Sequence, residues 1–238
     1  MPRFYIPPQQ WNPERLVLGE EETHHALHVL RMKPGDRATV FNGQGTQAAV
    51  EIAAAGKHSL ELKCLEMETS APPGCRITLG QAIPKGKNME WIVQKATELG
   101  VSAIVPLLTE HTIVQPEPKK REKWQAAAIE ACKQCGQNWL PEIHPPQSLA
   151  QALRRTDDLK LIASLHPGAM SFREILSQQR EPSSVLILIG PEGDFSPAET
   201  ALALENGCRL VTLGPIVLRV ETAAFYALSV LAYEYLHP

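Results

Sequence analysis

No run of apolar residues in this 238-residue sequence reaches membrane-spanning length, and the opening Met-Pro-Arg-Phe-Tyr-Ile-Pro-Pro lacks the apolar centre of a secretory signal. A soluble, cytoplasmic protein without a membrane partner is expected. A strong basic excess is missing too: 23 Lys or Arg stand against 26 Asp or Glu, a net charge of −3. Proteins dominated by phosphate contacts usually show the opposite balance. Five cysteines, at 64, 75, 132, 135 and 208, are an odd and scattered set and read as free thiols in a reducing compartment. Metal-site patterns are absent as well. His24 and His28 lie four apart on an expected helix, with no His-Glu-x-x-His and no third ligand. Cys132-Lys133-Gln134-Cys135 is a lone pair inside a helical stretch, lacking the second pair that zinc wants and the strand-to-helix setting of a redox motif.

Hydrophobic residues make up 44% of the chain and the mean hydropathy is −0.16, enough for one large core or two modest ones. The first part, residues 1–72, reads as a small β domain. Acidic Glu20-Glu21-Glu22 precedes His24 to Arg31, the charge order of a short helix. Strand-like runs follow at Arg37 to Phe41, Thr46 to Ile52 and Ser59 to Met67, the first two joined through Asn42-Gly43, a hairpin signal. These short strands predict a small barrel or sandwich. Ala71-Pro72-Pro73-Gly74 then reads as a linker, since paired prolines continue neither a ladder nor a helix.

From Arg76 to residue 238 strands and helices alternate. Ile77 to Ala82 is an apolar strand ending at Pro84-Lys85-Gly86-Lys87; Met89 to Leu99 is an amphipathic helix stopped by Gly100; Val101 to Leu108 is the next strand. After Pro116 and Pro118 a helix runs through Trp124 and Ile129 toward Trp139, and Lys119-Lys120-Arg121-x-Lys123 reads as its solvated face. Leu159 to Leu165 is a strand ending in His166-Pro167-Gly168, with a short helix near Phe172 to Leu176. The pattern implies an α/β domain, a parallel sheet with helices on both faces.

Two apolar runs in the last fifty residues stop at Gly190 and Gly214, each followed by proline. Ser196-Pro197-Ala198-Glu199 has capping-box spacing for a helix that Gly207 ends, and Glu221 to Leu236 forms the final helix. The order is strand, loop, helix, strand, loop, helix. Loops at the carboxyl ends of parallel strands are where open α/β sheets bind ligands, because their backbone groups are not consumed by sheet or helix. Leu218-Arg219-Val220-Glu221-Thr222 places a charged pair and a hydroxyl between an apolar strand and an apolar helix.

Ile189-Gly190-Pro191-Glu192-Gly193, Leu213-Gly214-Pro215 and Leu218-Arg219-x-Glu221-Thr222-Ala223 resemble the ribosomal RNA small subunit methyltransferase E family, which methylates a uridine at N3 in 16S rRNA. The resemblance extends through Lys85-Gly86-x-x-Met89-Glu90-Trp91, Gln94-Lys95, Glu98-Leu99-Gly100-Val101 and Glu130-Ala131-x-x-Gln134, and so covers nearly the whole chain. It implies a SPOUT methyltransferase domain over 76–238, with a trefoil knot around S-adenosylmethionine, preceded by a PUA-like RNA-binding domain over 1–72. Further implications are a homodimer that completes each site and action on 16S rRNA within the 30S subunit. Residues implied to hold the methyl donor are Leu165, Ile189, Gly190, Gly193, Leu213, Gly214, Ile216, Leu218 and Thr222, the last through its hydroxyl or as a helix cap. Arg3, His24, His25, Arg31, Lys85 and Lys95 fall at implied RNA-binding positions. The sequence departs from the family in carrying His111, Gln137 and Ile216 where arginine is common, Asp194 for a glycine and Val220 for a threonine.

The implied chemistry suits these residues. N3 of uridine has an acidity like that of tyrosine, about 10, so methylation requires loss of that proton and stabilisation of charge growing on O2 and O4. No covalent nucleophile is needed, and no cysteine stands in the loops. Arg219 is the candidate for the developing oxyanion; Glu221 or Glu192 is the candidate base or orienting group, or else a structural tie for loop amides. A sulfonium donor is already activated, so rigid loops need chiefly to align methyl carbon and nitrogen. The base must be turned outward to reach them. Two other readings are an RNA-binding SPOUT-fold protein with a different target or no catalysis, and a flavodoxin-like small-ligand domain.

Overall fold

The computed structural model describes residues 1–56, 58–86, 88–112, 118–179 and 181–236; Lys87 and Pro116 lie outside them. Its elements follow in chain order: β1 Arg3–Tyr5, β2 Leu16–Leu18, α1 Glu20–His24, β3 Arg37–Phe41, β4 Thr46–Ala55 and β5 Leu60–Thr69. Then come β6 Arg76–Ala82, α2 Asn88–Glu98, β7 Ala103–Leu108, α3 Pro118–Cys135, β8 Glu142–Ile143, β9 Gln147–Ser148 and α4 Leu149–Ala152. The last third holds β10 Leu159–Ala163, β11 Met170–Ser171, α5 Phe172–Gln178, β12 Ser184–Ile189, α6 Pro197–Glu205, β13 Arg209–Thr212 and α7 Val220–Tyr235. No described helix is long and apolar enough to cross a membrane.

Two compact units are formed, Met1–Pro72 with Ile129–Leu140, and Pro73–Ala128 with Pro141–Pro238. In the first, the described strands form one sheet in the order β1-β3-β4-β5-β2, antiparallel except for β1 against β3. Register irregularities at Ala49/Val50 and Ile52/Ala54 bend the long β4–β5 pair, and one face closes over a core that includes Phe4, Leu16, Val40, Val50 and Leu60. β1 and β2, three residues each, escape the sequence patterns because so short a run shows no alternation. The expected hairpin is wider than a two-residue turn. Asn42 Oδ1 accepts the amides of Gln44 at 2.8 Å and Thr46 at 3.1 Å, holding a four-residue loop whose Gly43 and Gly45 have φ of +74° and +88°.

That loop also explains why Ile129–Leu140 belongs to the first unit, which the expected boundaries did not include. Gly45 donates to the Asn138 carbonyl at 3.0 Å, Leu140 donates to that of Gly43 at 3.0 Å, and Trp139 Nε1 donates to Ala71 at 3.0 Å. Lys133 Nζ pairs with Glu22 at 3.0 Å and Glu130 at 2.9 Å. Such pairings join segments far apart in the chain, so local periodicity carries no trace of them.

The second unit is a parallel sheet ordered β11-β13-β10-β12-β6-β7-β8, with β9 also on β7. Strands β7 and β12 are near-continuous apolar runs, and β6 and β10 are nearly as buried, because both sheet faces are covered. Leu186 and Leu188 of β12 face a cluster with Leu149, Leu153, Phe195 and Ala203 from α4, α6 and their loops. On the other face α7 packs against β6, β12 and α2. Helix α6 starts at a complete Ser196–Glu199 capping box with Pro197 at its first position, as its sequence predicts.

Candidate functional site

Neighbouring parallel strands place their carboxyl ends side by side, and here β13, β10 and β12 are consecutive in the sheet. The loops that leave them surround a cavity of about 440 Å³, a volume within the range of small-molecule sites. Ser164 and Leu165 after β10, Gly190, Glu192 and Asp194 after β12, and Leu213, Gly214, Ile216 and Leu218 after β13 line it, with Ile189 at its floor and Arg219 and Glu221 at the start of α7. Among the described lining residues Arg219 is the only cation, against the carboxylates of Glu192, Asp194 and Glu221.

The wall is built from restrained backbone. Glu192 Oε1 accepts the Lys85 amide at 3.1 Å, tying the β6–α2 loop to the glycine loop; of the roles open to this glutamate, that is the structural one. A Cβ at Gly190 would stand 3.2 Å from Asp194 Oδ1 and from the Phe195 amide nitrogen, a contact tighter than most side chains accept. Asp194 occupies φ +60°, the left-handed region that accounts for glycine being usual there, and its Oδ1 accepts the Phe195 amide at 2.8 Å. Asp194→Ala keeps the strained φ and removes that acceptor, and is expected to cost about 1–2 kcal/mol in urea unfolding. Beyond Gly193 the imidazole of His111 lies against the loop, its Nδ1 2.9 Å from the Asp194 carbonyl oxygen.

Two expected donor-contact residues fall outside the cavity. Gly193 turns toward His111 rather than inward. Thr222 is exposed on the first turn of α7, whose N-cap is Arg219 with no side-chain capping bond, so its hydroxyl neither lines the space nor caps the helix. Conversely, Asn88, Ser164 and Val217 line the cavity without having been singled out, and so does Asp194, which was named only as a departure from the family. Asn88 opens α2 directly after a strand-end loop, the one positional signal that would have found it.

The residues at implied RNA positions divide in character. Arg3 is an internal tie: its Nη atoms donate to Asn138 Oδ1 at 2.8 Å, Gln47 Oε1 at 3.2 Å and the Gln137 carbonyl at 3.4 Å, its guanidinium stacks on Phe41, and burial lowers its pKa. His25 packs edge-on against Phe4 and lies 3.5 Å from Lys133 Nζ. His24 stacks with His28 at 4.8 Å on an exposed face beside Val29, Leu30 and Arg31, which follows a π-helical turn, His25–Val29. Lys85 is exposed; Lys95 pairs with Glu98 at 2.8 Å on α2. Gln137 Oε1 accepts the amides of Asn138 at 3.0 Å and Trp139 at 3.3 Å, a turn-holding role that needs no charge. Burial pushes the Cys132 thiol up to about 12, helped by Cys135, so it stays protonated and unreactive. No cluster of three or more metal-binding side chains exists among the described residues.

Comparison with known proteins identifies the family. A family model described as an RNA methyltransferase domain matches residues 71–232, and one described as an RNA methyltransferase PUA domain matches residues 18–65. Ribosomal RNA small subunit methyltransferase E of Bacillus subtilis is 33% identical over 226 residues, covering 90% of this chain and 88% of that protein. The solved structure of the enzyme of that name from Neisseria gonorrhoeae, bound to S-adenosyl methionine, is 34% identical with a TM-score of 0.87, covering 98% of this chain and 97% of that one. A methyltransferase from Legionella pneumophila, in complex with the bound cofactor SAM, is 38% identical with a TM-score of 0.87 over 97% of this chain and 96% of its own.

Proposed function

The chain belongs to the ribosomal RNA small subunit methyltransferase E family, and from that premise we propose that it moves the methyl group of S-adenosylmethionine to N3 of a uridine in 16S rRNA. The observation that carries this reading to the site is the cavity between three strand-end loops, with Arg219 at its edge. Its walls fit the donor. The space is large enough, its lining mixes apolar side chains with accessible loop backbone, and three carboxylates suit a cationic sulfonium. Leu165, Ile189, Gly190, Leu213, Gly214, Ile216 and Leu218 would hold it. When bound, it would supply an electrophilic methyl on a sulfonium sulfur, which keeps the C–S electron pair and leaves as a neutral thioether.

The rest falls to the protein. Loop backbone held by Glu192, Asp194 and the α6 capping box keeps the walls from relaxing, which preserves alignment between methyl carbon and ring nitrogen. Arg219 is placed to neutralise charge growing on the uracil oxygens as N3 loses its proton. Glu221, on the same helix end, is the carboxylate left for orienting the base or accepting that proton, since Glu192 already binds an amide. His111 and Gln137 both make structural hydrogen bonds, so their departure from arginine is not a sign of lost catalysis.

Recognition of the small subunit would draw on the exposed His24, His28 and Arg31 in the first unit and Lys85 in the second. Trefoil threading is part of the same proposal, supported by β13 lying beside β10 while the following α7 returns to β6 and β12. A homodimer is proposed from the cavity mouth, where Leu165, Ile216 and Val217 are 60%, 68% and 78% exposed; apolar side chains so grouped mark an interface. The double change Ile216→Asp and Val217→Asp should convert a dimer to a monomer in light scattering and abolish methylation; an unchanged dimer would move the interface elsewhere. The functional test is transfer of labelled methyl from S-adenosylmethionine to 30S subunits of a strain lacking the modification. One labelled uridine in 16S rRNA is expected, and label confined to another RNA would redirect the assignment.

A further inference from the structure

We propose that His111 is a positioning residue for methyl transfer, acting through the Asp194 carbonyl to hold the Gly190–Asp194 loop in the shape that lines the donor cavity. The inference rests on the reading of that cavity as the donor site. His111 stands on a braced turn: Thr112 donates to the Thr109 carbonyl at 3.0 Å, the two threonine hydroxyls lie 2.7 Å apart, and Glu110 donates its amide to Glu199 Oε1 at 2.9 Å. From this post the imidazole reaches across to Asp194.

A carbonyl oxygen only accepts, so Nδ1 must carry the hydrogen, which leaves Nε2 as the nitrogen that titrates. The ring lies flush with the loop because residue 193 is glycine: a Cβ there would stand 3.3 Å from Nδ1 and 3.4 Å from Cγ. Gly193, outside the cavity, thus serves it from behind. Among the described residues the glycine loop is closed by the Asp194 amide on the Pro191 carbonyl and tied by the Glu192 carboxylate on the Lys85 amide, the Asp194 carboxylate on the Phe195 amide, and the Asp194 carbonyl on His111. The last of these ties ends on an imidazole, the side chain that titrates in the neutral range.

The bond to the Asp194 carbonyl raises the His111 pKa, burial opposes it, and Glu110, the Gly193 backbone and Glu199 on α6 add to the rise. Among the described residues, these and Asp194 are the charged and titratable groups facing the ring. A raised pKa means the protonated ring makes the stronger, charge-assisted bond. The charge-assisted part of its strength is therefore present at low pH and lost as pH rises through the folded value, while the neutral ring keeps its Nδ1–H on the carbonyl.

The test compares wild type, His111→Ala and His111→Asn, whose Nδ2–H stands where Nδ1–H was but does not titrate. S-adenosylmethionine binding is measured by calorimetry at about pH 5 and about pH 8, spanning the histidine range, alongside amide exchange of the 190–196 segment without ligand. Loss of one charge-assisted bond predicts about a tenfold weaker Kd at the lower pH and faster exchange in His111→Ala. His111→Asn, a neutral donor, should match wild-type exchange and affinity at about pH 8, and the wild-type loss of affinity between the two pH values should be absent from both variants. Wild-type exchange and affinity in His111→Ala, or a His111→Asn as impaired as the alanine variant, would overturn the proposal. Failure of the wild type to bind S-adenosylmethionine would instead overturn the donor-site reading, with the exchange data still deciding whether His111 holds the loop.

Discussion

Arg219→Ala is expected to lower the turnover number for 30S methylation by about 10²- to 10³-fold, the usual loss on removing one preorganised oxyanion donor. The Kd for S-adenosylmethionine should change by no more than about threefold. The asymmetry follows from charge. The sulfonium gains nothing from a guanidinium, whereas the uracil ring becomes anionic as its N3 proton leaves, so the interaction with the ring strengthens only toward the transition state. Arg219 caps α7 through backbone alone and lines a cavity whose other charged groups are carboxylates, so no described lining cation stands in for it. Arg219→Lys should recover part of the loss, since an ammonium supplies the charge without the planar fork. Single-turnover rates and calorimetry together decide it: equal losses in rate and donor affinity would make Arg219 a donor clamp.

Gly45→Ala is expected to destabilise the first unit by about 2–4 kcal/mol, through a left-handed backbone imposed on a residue with a Cβ and through overpacking. The residue sits at φ +88°, and an added Cβ would lie 2.5 Å from Trp139 Cζ2 and 2.8 Å from the Ser70 carbonyl oxygen. Neither neighbour yields easily. Ser70 donates its amide back to Gly45 at 2.9 Å, and Trp139 is pinned through its indole nitrogen to Ala71. Every described cavity-lining residue belongs to the other unit, so the variant should lose methylation of 30S subunits while keeping wild-type affinity for S-adenosylmethionine. Urea unfolding followed by a probe in each unit measures both halves; equal weakening of donor binding would show that the site depends on the first unit's integrity.

Much of the second unit is legible in the sequence because its signals are local. Val185 to Ile189 is an unbroken apolar run since both faces of β12 are covered, and Ser196-Pro197-x-Glu199 states a helix start in four residues. Glycines 190 and 214 mark where the backbone leaves the sheet, and the cavity lies there. Thr222 illustrates the limit. Its motif neighbours Arg219 and Glu221 line the cavity, but a 100° turn per residue carries its hydroxyl to the outer side of α7. Arg3 illustrates another: a cation at a terminus reads as free until the structure shows it enclosed by Gln47, Gln137 and Asn138.

By itself the sequence determined the order of strands and helices beyond residue 75, the loops that line the cavity and the family to which they belong, because capping, periodicity and glycine punctuation act over a few residues. Only the tertiary structure decided that Ile129–Leu140 closes the first unit, that Glu192 accepts the Lys85 amide, and that His111 and Gly193 face each other behind the cavity wall. Those pairings join positions tens of residues apart, and their free energy resides in packing and hydrogen-bond geometry that no short stretch of chain encodes.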